Sequence, residues 1–221
     1  MPKAAKSKGS TSKKTALNAP KVETTSTSTP GTSSTLYFWR QSDLQKGWLS
    51  QWYEADFTDP NGIVYHTAEH YMMYHKALLF NDPATGALIL NATSPRDVRT
   101  LGRQVANFDQ AVWEANRERI VEEGTRYKFT RAVSEEGLRL GMNPDAELIA
   151  PMTLRGLLMA TGEREIVEAS PMDKIWGVGF GEAKAEGNRG RWGLNLLGKV
   201  LVKVREEFRE EDEKAEAAAG V

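Results

Sequence analysis

An acid and an amine, Glu69 and Lys76, stand seven residues apart in the segment Thr67-Ala-Glu-His-Tyr-Met-Met-Tyr-His-Lys-Ala-Leu-Leu-Phe80. The segment has helix spacing. Ala68, Met72 and Leu79 form one apolar line, and Tyr71, Tyr74 and Leu78 form a second beside it. Glu69, Met73, Lys76 and Phe80 run between them, so acid and amine share a face about two turns, ~10 Å, apart. Charges on a stripe that otherwise reads as core are costly unless they serve each other or a ligand. A carboxylate there can stabilise developing positive charge or activate water, and an amine can attack an electrophilic carbon. On spacing alone the pair reads equally as a structural ion pair and as a site.

His66-Thr-Ala-Glu-His70 matches H-x-x-E-H, in which two His at i, i+4 on a helix bind zinc and the Glu activates water. Three features oppose that reading. Ile63-Val-Tyr65 reads as a strand running into His66, Thr67 reads as the helix N-cap, and no distinctive third ligand follows. His75 reads as a polar helix residue. Farther on, Asp173-Lys-Ile-Trp-Gly-Val-Gly-Phe-Gly181 combines a carboxylate, an indole and glycines that allow positive φ and close approach of a ligand. Its structural counterpart is a tight turn whose Trp176 plugs the core. It lacks the strand and spacing of a dinucleotide-binding loop. Arg103 after Gly102, Trp113 with Arg117 at i+4, and Lys128 beside Phe129 place cations near aromatic rings, an arrangement suited to phosphate or to surface ion pairs.

These residues need elements to hold them. Leu36-Tyr-Phe-Trp39 reads as a buried strand. Asp59-Pro-Asn-Gly62 is a turn, and Ile63-Val-Tyr65 is a second strand paired with the segment before it. After the helix begun at Thr67, Asp82-Pro83 starts a short helix through Leu90. Ser94-Pro95 starts another, with Val98, Leu101 and Val105 as its core line. Asp109 caps a helix from Gln110 to Glu123, closed by Gly124, and Arg126 to Val133 is helical too. A helical pair begins at Asn143-Pro144, breaks at Pro151 and ends at Thr161-Gly162. Glu165-Ile-Val-Glu168 is a strand, and a glycine-rich loop runs from Ser170 to Gly193. Asn195 caps the last helix, with Leu197, Val200, Leu201, Val204 and Phe208 inward.

The fold class is therefore α+β: a mainly helical single domain over residues 35–208. Its small antiparallel sheet is drawn from the 36–65 region and Ile166-Val167. Two tails flank it. Residues 1–34 are rich in Ser, Thr and Lys, with only Met1, Leu17 and Val22 as sizeable apolar residues, too few to fold on. Residues 209–221 are acidic and are expected to fray. With 221 residues and no cysteine, the chain can build a core but has no disulfide framework or thiolate chemistry. A net charge of −1 gives no strong field toward nucleic acid, and no apolar run approaches bilayer length. Without a secretory leader or an Arg-rich transit segment, the expected location is the cytoplasm, with the scattered tail lysines leaving the nucleus open.

Taken in order, the segments resemble the NADAR (YbiA-like) family. They are Leu49-Ser-Gln-Trp-Tyr53, Thr67-Ala-Glu-His-Tyr71 with Lys76, Leu101-Gly-Arg103, and Trp113 with Arg117, Lys128 and Phe129. Leu158 and Thr161-Gly162 follow, then Val167-Glu-Ala-Ser170, Asp173, Trp176-Gly-Val-Gly179, and Asn195-Leu-Leu-Gly198 with Leu201 and Arg205. The series is collinear over roughly residues 36 to 208. One departure is Ser50-Gln51-Trp52, where bacterial members commonly read Ser-Asn-Phe. The resemblance implies an N-glycosidase that cleaves a ribose C1–N bond. Its substrate would be a ribosylamino-pyrimidine intermediate of riboflavin synthesis, or ADP-ribose attached to guanine. It implies Glu69, Lys76 and Asp173 as catalytic residues. It implies substrate contacts at Ser50, Trp52, His70, Arg103, Trp113, Arg117, Lys128, Trp176, Gly177, Gly179 and Asn195. Neither a metal nor a cofactor is implied. The expected partner is the nucleotide-like substrate, free or in nucleic acid, with no membrane; the sequence carries no signal of oligomeric state. The reading from another class is a non-catalytic module that only binds ADP-ribose or a nucleotide.

Overall fold

The computed structural model describes residues 34–133 and 153–220. The tail before Ser34 and the helix start at Asn143-Pro144 lie outside the described residues. Strand β1 (Thr35–Phe38) buries Leu36 and Phe38, as its alternation requires. A short 3-10 turn, Gly47–Leu49, follows. Strands β2 (Phe57–Thr58) and β3 (Val64–Tyr65) pair antiparallel across the Asp59 turn. Asp59 Oδ1 accepts the N–H groups of Asn61 and Ile63, and its Oδ2 accepts the Tyr65 hydroxyl at 3.1 Å.

Helix α1 (Ala68–Leu79) is the middle of the molecule. Thr67 caps it by accepting the His70 N–H. It packs against α2 (Pro83–Asn91), α3 (Pro95–Gly102) and α4 (Gln110–Thr130). Asp82, Ser94 and Asp109 cap those three helices through their side chains, and Pro stands at the start of α2 and α3. Ala68, Tyr71 and Met72 are buried as the apolar lines require, but Leu78 is 45% exposed and belongs to no core line. Val105 is buried, although it lies past the end of α3.

Three expectations change. Gly124 does not close a helix, because α4 continues to Thr130 with Gly124 inside it. A Cβ there would stand 2.4 Å from the Tyr71 ring, so this glycine serves close packing of α4 on α1. The second change concerns β4 (Glu165–Glu168), which pairs with β1 in parallel, Leu36 opposite Ile166 and Tyr37 opposite Val167. The β2–β3 hairpin is the antiparallel pair, separate from it. A long crossover containing α1 to α4 joins β1 to β4, and such a crossover is what a parallel pair needs. The third change is at the C-terminus. After α5 (Leu154–Ala160), α6 (Glu182–Ala185) and the 3-10 turn Glu186–Arg191, helix α7 runs from Leu196 to Ala219 rather than fraying after Arg209. Arg155 holds Asp212 with two N–H groups at 2.8 and 3.1 Å, and Arg126 holds Glu207 and Glu211, so the acidic stretch has cations to lie against.

Asn195 precedes α7 in the left-handed region, φ 50°, but its side chain does not cap that helix. It turns to β4 instead, where its Oδ1 accepts the Glu168 N–H at 3.0 Å and its Nδ2 donates to the Ile166 carbonyl at 3.0 Å. It thereby fixes the end of β4, which borders the site.

Candidate active site

A cavity of about 610 Å³ opens where α1, α3, the Ser50–Trp52 segment, the end of β4 and the Asp173–Trp176 loop converge. The structure brings seven of the fourteen expected residues to its wall: Ser50, Trp52, Glu69, Lys76, Arg103, Asp173 and Trp176. Glu69 is 5% exposed, in the first turn of α1. Its own N–H donates to the Gln51 carbonyl at 3.0 Å, which ties the Ser50–Trp52 segment to the helix. Burial pushes its carboxyl up to about 7. The Arg99 guanidinium and a hydrogen bond from the Trp52 side chain oppose the rise, and Asp173 adds to it. A tryptophan side chain has only its indole N–H to donate, so Trp52 meets Glu69 as a donor that favours the ionised form.

Lys76 does not pair with Glu69. Its ammonium donates to the Gly102 carbonyl at 2.7 Å, at the C-terminal end of α3, and lies 4.3 Å from the Phe108 ring centre and 5.6 Å from that of Trp113. Burial lowers its pKa. The shared face seen in the sequence is real, but an α3 carbonyl is a nearer partner than an acid two turns away.

Asp173 is the hinge of its loop. Its Oδ1 accepts the N–H groups of both Ile175 and Trp176 at 2.8 Å, which sets the half-buried Trp176 at the cavity wall with part of its ring against the core. Ser50 accepts the Trp52 N–H on its Oγ at 3.2 Å.

The other seven stand behind the wall. Lys128, 2% exposed, donates to the carbonyls of Trp48 at 2.7 Å and Ser50 at 2.8 Å, so it shapes the Ser50–Trp52 segment from beneath. Burial lowers its ammonium to about 7. Trp113 is the aromatic wall over Lys76, and Arg117 is buried beside it, 3.8 Å from Glu114. Both ring nitrogens of His70 are engaged, with Thr67 Oγ1 at 2.8 Å and the Ala92 carbonyl at 3.0 Å. His66 lies outside α1, 2.9 Å from Asp56. Among the described residues no cluster of His, Asp and Glu has metal-ligating geometry. A Cβ at Gly177 would stand 2.6 Å from the Glu168 carbonyl, so that glycine lets the loop approach β4 rather than a ligand. Gly179 takes φ 77°, a turn conformation. Asn195 acts on β4, as described.

Sequence reasoning missed several wall residues. Arg96 and Arg99 of α3 share a helix face at i, i+3 with the expected Arg103 just past its end, and they reach the cavity with Arg40 from the segment after β1. That periodicity was readable, but exposed arginines at helix spacing usually mean a solvated face. Glu168 also lines the cavity. Burial, then the charges of Asp173 and Glu69, push its carboxyl up to about 8, against the pull of Arg99. It stands in the family segment Val167-Glu-Ala-Ser170, but as the last residue of a short strand its turn toward the cavity depended on an unforeseen parallel pairing.

The fold and cavity define a pocket protein built around buried carboxyls. Residues 37–209 match the model of the NADAR domain. N-glycosidase R617 of Acanthamoeba polyphaga mimivirus is 41% identical over 165 residues, 72% of this chain and 86% of its own length. N-glycosidase Npun_R5314 of Nostoc punctiforme is 29% identical over 180 residues, 79% of this chain and 93% of its own. The NMR structure of the Escherichia coli protein YbiA matches with a TM-score of 0.57 at 24% identity, over 80% of this chain and 86% of that one, a likeness of fold. The chain belongs to the NADAR-domain family, as the order of its motifs indicates.

Proposed function

We propose that this protein is an N-glycosidase that hydrolyses the bond between a ribose C1 and a nitrogen in a nucleotide-like substrate. The observation that carries the reading is the burial of Glu69 in the wall of a large cavity, with a carboxyl held near neutrality and a Trp52 donor to orient it. Cleavage of a C–N glycoside passes through an oxocarbenium-like ribose. A Glu69 carboxylate close to C1 stabilises that charge and takes a proton from the attacking water. Trp176 offers a face on which the leaving base stacks. The arginines of α3 and Arg40 give the cavity a cationic side for a phosphorylated ribose or a pyrophosphate. These features fit both substrates that the family resemblance implies. The relatives named N-glycosidases support the reaction class.

A second course for the same cleavage rests on Lys76. Its amine is not neutralised by Glu69, burial makes it easier to deprotonate, and it lines the same cavity. After ring opening such an amine can attack C1 and form a Schiff base that water then hydrolyses. Borohydride added during turnover separates the two courses. A covalent protein–ribose adduct that Lys76→Arg abolishes supports the amine. Product formed without an adduct leaves Lys76 as a wall residue.

The reaction itself is tested by incubating the full chain with ribosylamino-pyrimidine phosphate and, separately, with ADP-ribosylated guanine in DNA. Release of free base or free ADP-ribose is the expected result. Binding of ADP-ribose without release from either substrate would instead make the chain a binding module.

A further inference from the structure

Glu168 is a half-buried acid at the end of β4. One of its carboxyl oxygens, Oε2, is shielded from solvent and makes no hydrogen bond among the described residues, while the side chain lines the cavity that holds Glu69 and Asp173. Its backbone is fixed. The N–H donates to Asn195 Oδ1 at 3.0 Å, and the carbonyl accepts the Val178 N–H at 3.0 Å. The close approach of Gly177 leaves the end of β4 no room to shift on that side. A rigidly mounted, unsatisfied carboxyl oxygen costs stability unless a ligand completes it.

Resting on the N-glycosidase reading above, we infer that Glu168 is a further catalytic residue, the general acid that delivers a proton to the departing nitrogen. The two cavity glutamates differ in what surrounds them. Glu69 has the Trp52 donor and Arg99, both of which favour a carboxylate. Glu168 Oε2 has no donor among the described residues, and beside Arg99 the carboxyl faces the negative charges of Asp173 and Glu69. The other charged groups on the wall are Lys76 on α1, Arg96 and Arg103 on α3, and Arg40. When two acids share a site and one ionises first, the other keeps its proton at neutral pH and serves as the donor. The C1–N bond breaks and its electron pair stays on nitrogen, which takes the Glu168 proton, leaving Glu168 as a carboxylate. Water oxygen bonds to C1 as Glu69 takes the water proton. Transfer of that proton from Glu69 back to Glu168 through solvent restores both groups, and the net reaction is hydrolysis.

The test compares wild type with Glu168→Gln on the two amine-linked substrates named above, with melting curves to check that each variant is folded. The expected result is a fall in kcat of at least about 100-fold, the ordinary worth of a general acid, with KM changed by less than about threefold. The alkaline fall of wild-type kcat/KM, set by loss of the Glu168 proton near pH 8, should be missing from the residual activity of the variant. A second reading uses unaltered protein: NMR of isotope-labelled glutamate carboxyl carbons should show one side chain still protonated at pH 7 with the position of Glu168. Activity within threefold of wild type, an alkaline limb that persists in the variant, or a Glu168 carboxyl already ionised at pH 7 overturns the assignment. Failure of wild type to release product from either substrate brings down the N-glycosidase reading and the assignment with it, whereas an active wild type with an active Glu168→Gln variant brings down the assignment alone.

Discussion

A single carboxyl, that of Glu69, joins the stability of this protein to its chemistry. Its folded pKa is raised to about 7 from an ordinary 4.5, so between those values the native state holds a proton that the unfolded chain releases. Stability therefore falls as pH rises through that window, and the full penalty is present above pH 7. Glu69→Gln removes the charge and keeps an acceptor for the Trp52 indole. It should melt higher than wild type at pH 8, by about 2–4 °C per kcal/mol recovered, and match it at pH 4. The same variant should lose roughly two to three orders of magnitude in kcat, the scale of a lost electrostatic stabiliser. A melting temperature unchanged at pH 8 would mean that Glu69 is solvated in solution. For Trp176→Ala, the expected effect is a loss of about 1–3 kcal/mol in substrate affinity with the fold retained, the range for base–aromatic stacking. Calorimetric titration of the variant checks it, and unaltered affinity would make Trp176 a core plug. Glu69, Asp173 and Trp176 were legible because acid and indole stood where apolar periodicity or glycines made them conspicuous. Glu168 and Arg99 were not, since an acid at a strand end and an arginine on an exposed helix face look ordinary until the tertiary arrangement turns them to one cavity.

At the scale of elements, α1 carries the acid and the amine, while its neighbours decide what each can meet. Caps and turns were readable: Thr67, Asp82, Ser94 and Asp109 each accept the N–H that their position calls for. What short-range rules could not show was close contact between distant segments. Gly124 looked like a helix stop, but its missing side chain makes room for Tyr71. Gly124→Ala should therefore destabilise the domain by roughly 1–3 kcal/mol through overpacking, although alanine is the better helix former. Chemical denaturation measures it, and a stabilised variant would show that the α1–α4 contact relaxes at no cost. Lys128 illustrates the same limit. From sequence it was a cation beside Phe129, a candidate phosphate contact. In the fold it is buried beneath the Ser50–Trp52 segment, so its effect on the site passes through the position of Trp52.

The molecule as a whole gathers three acids and four arginines on the wall of one cavity, though its net charge is only −1. A substrate with a phosphorylated ribose would be held at the cationic side with C1 toward Glu69. No described helix is long and apolar enough to cross a membrane. Residues 1–34 contain almost nothing to bury, so their removal should leave the melting temperature and the intrinsic turnover unchanged. A marked drop in either would show that this segment contributes to the domain. The most direct measurement of the N-glycosidase reading is product release, with wild type and Glu69→Gln each incubated with ribosylamino-pyrimidine phosphate and with ADP-ribosylated guanine DNA. The expected result is free base or free ADP-ribose from at least one substrate with wild type, and at least about 100-fold slower release with the variant. Equal release by the two proteins, or none by wild type from either substrate, would contradict it.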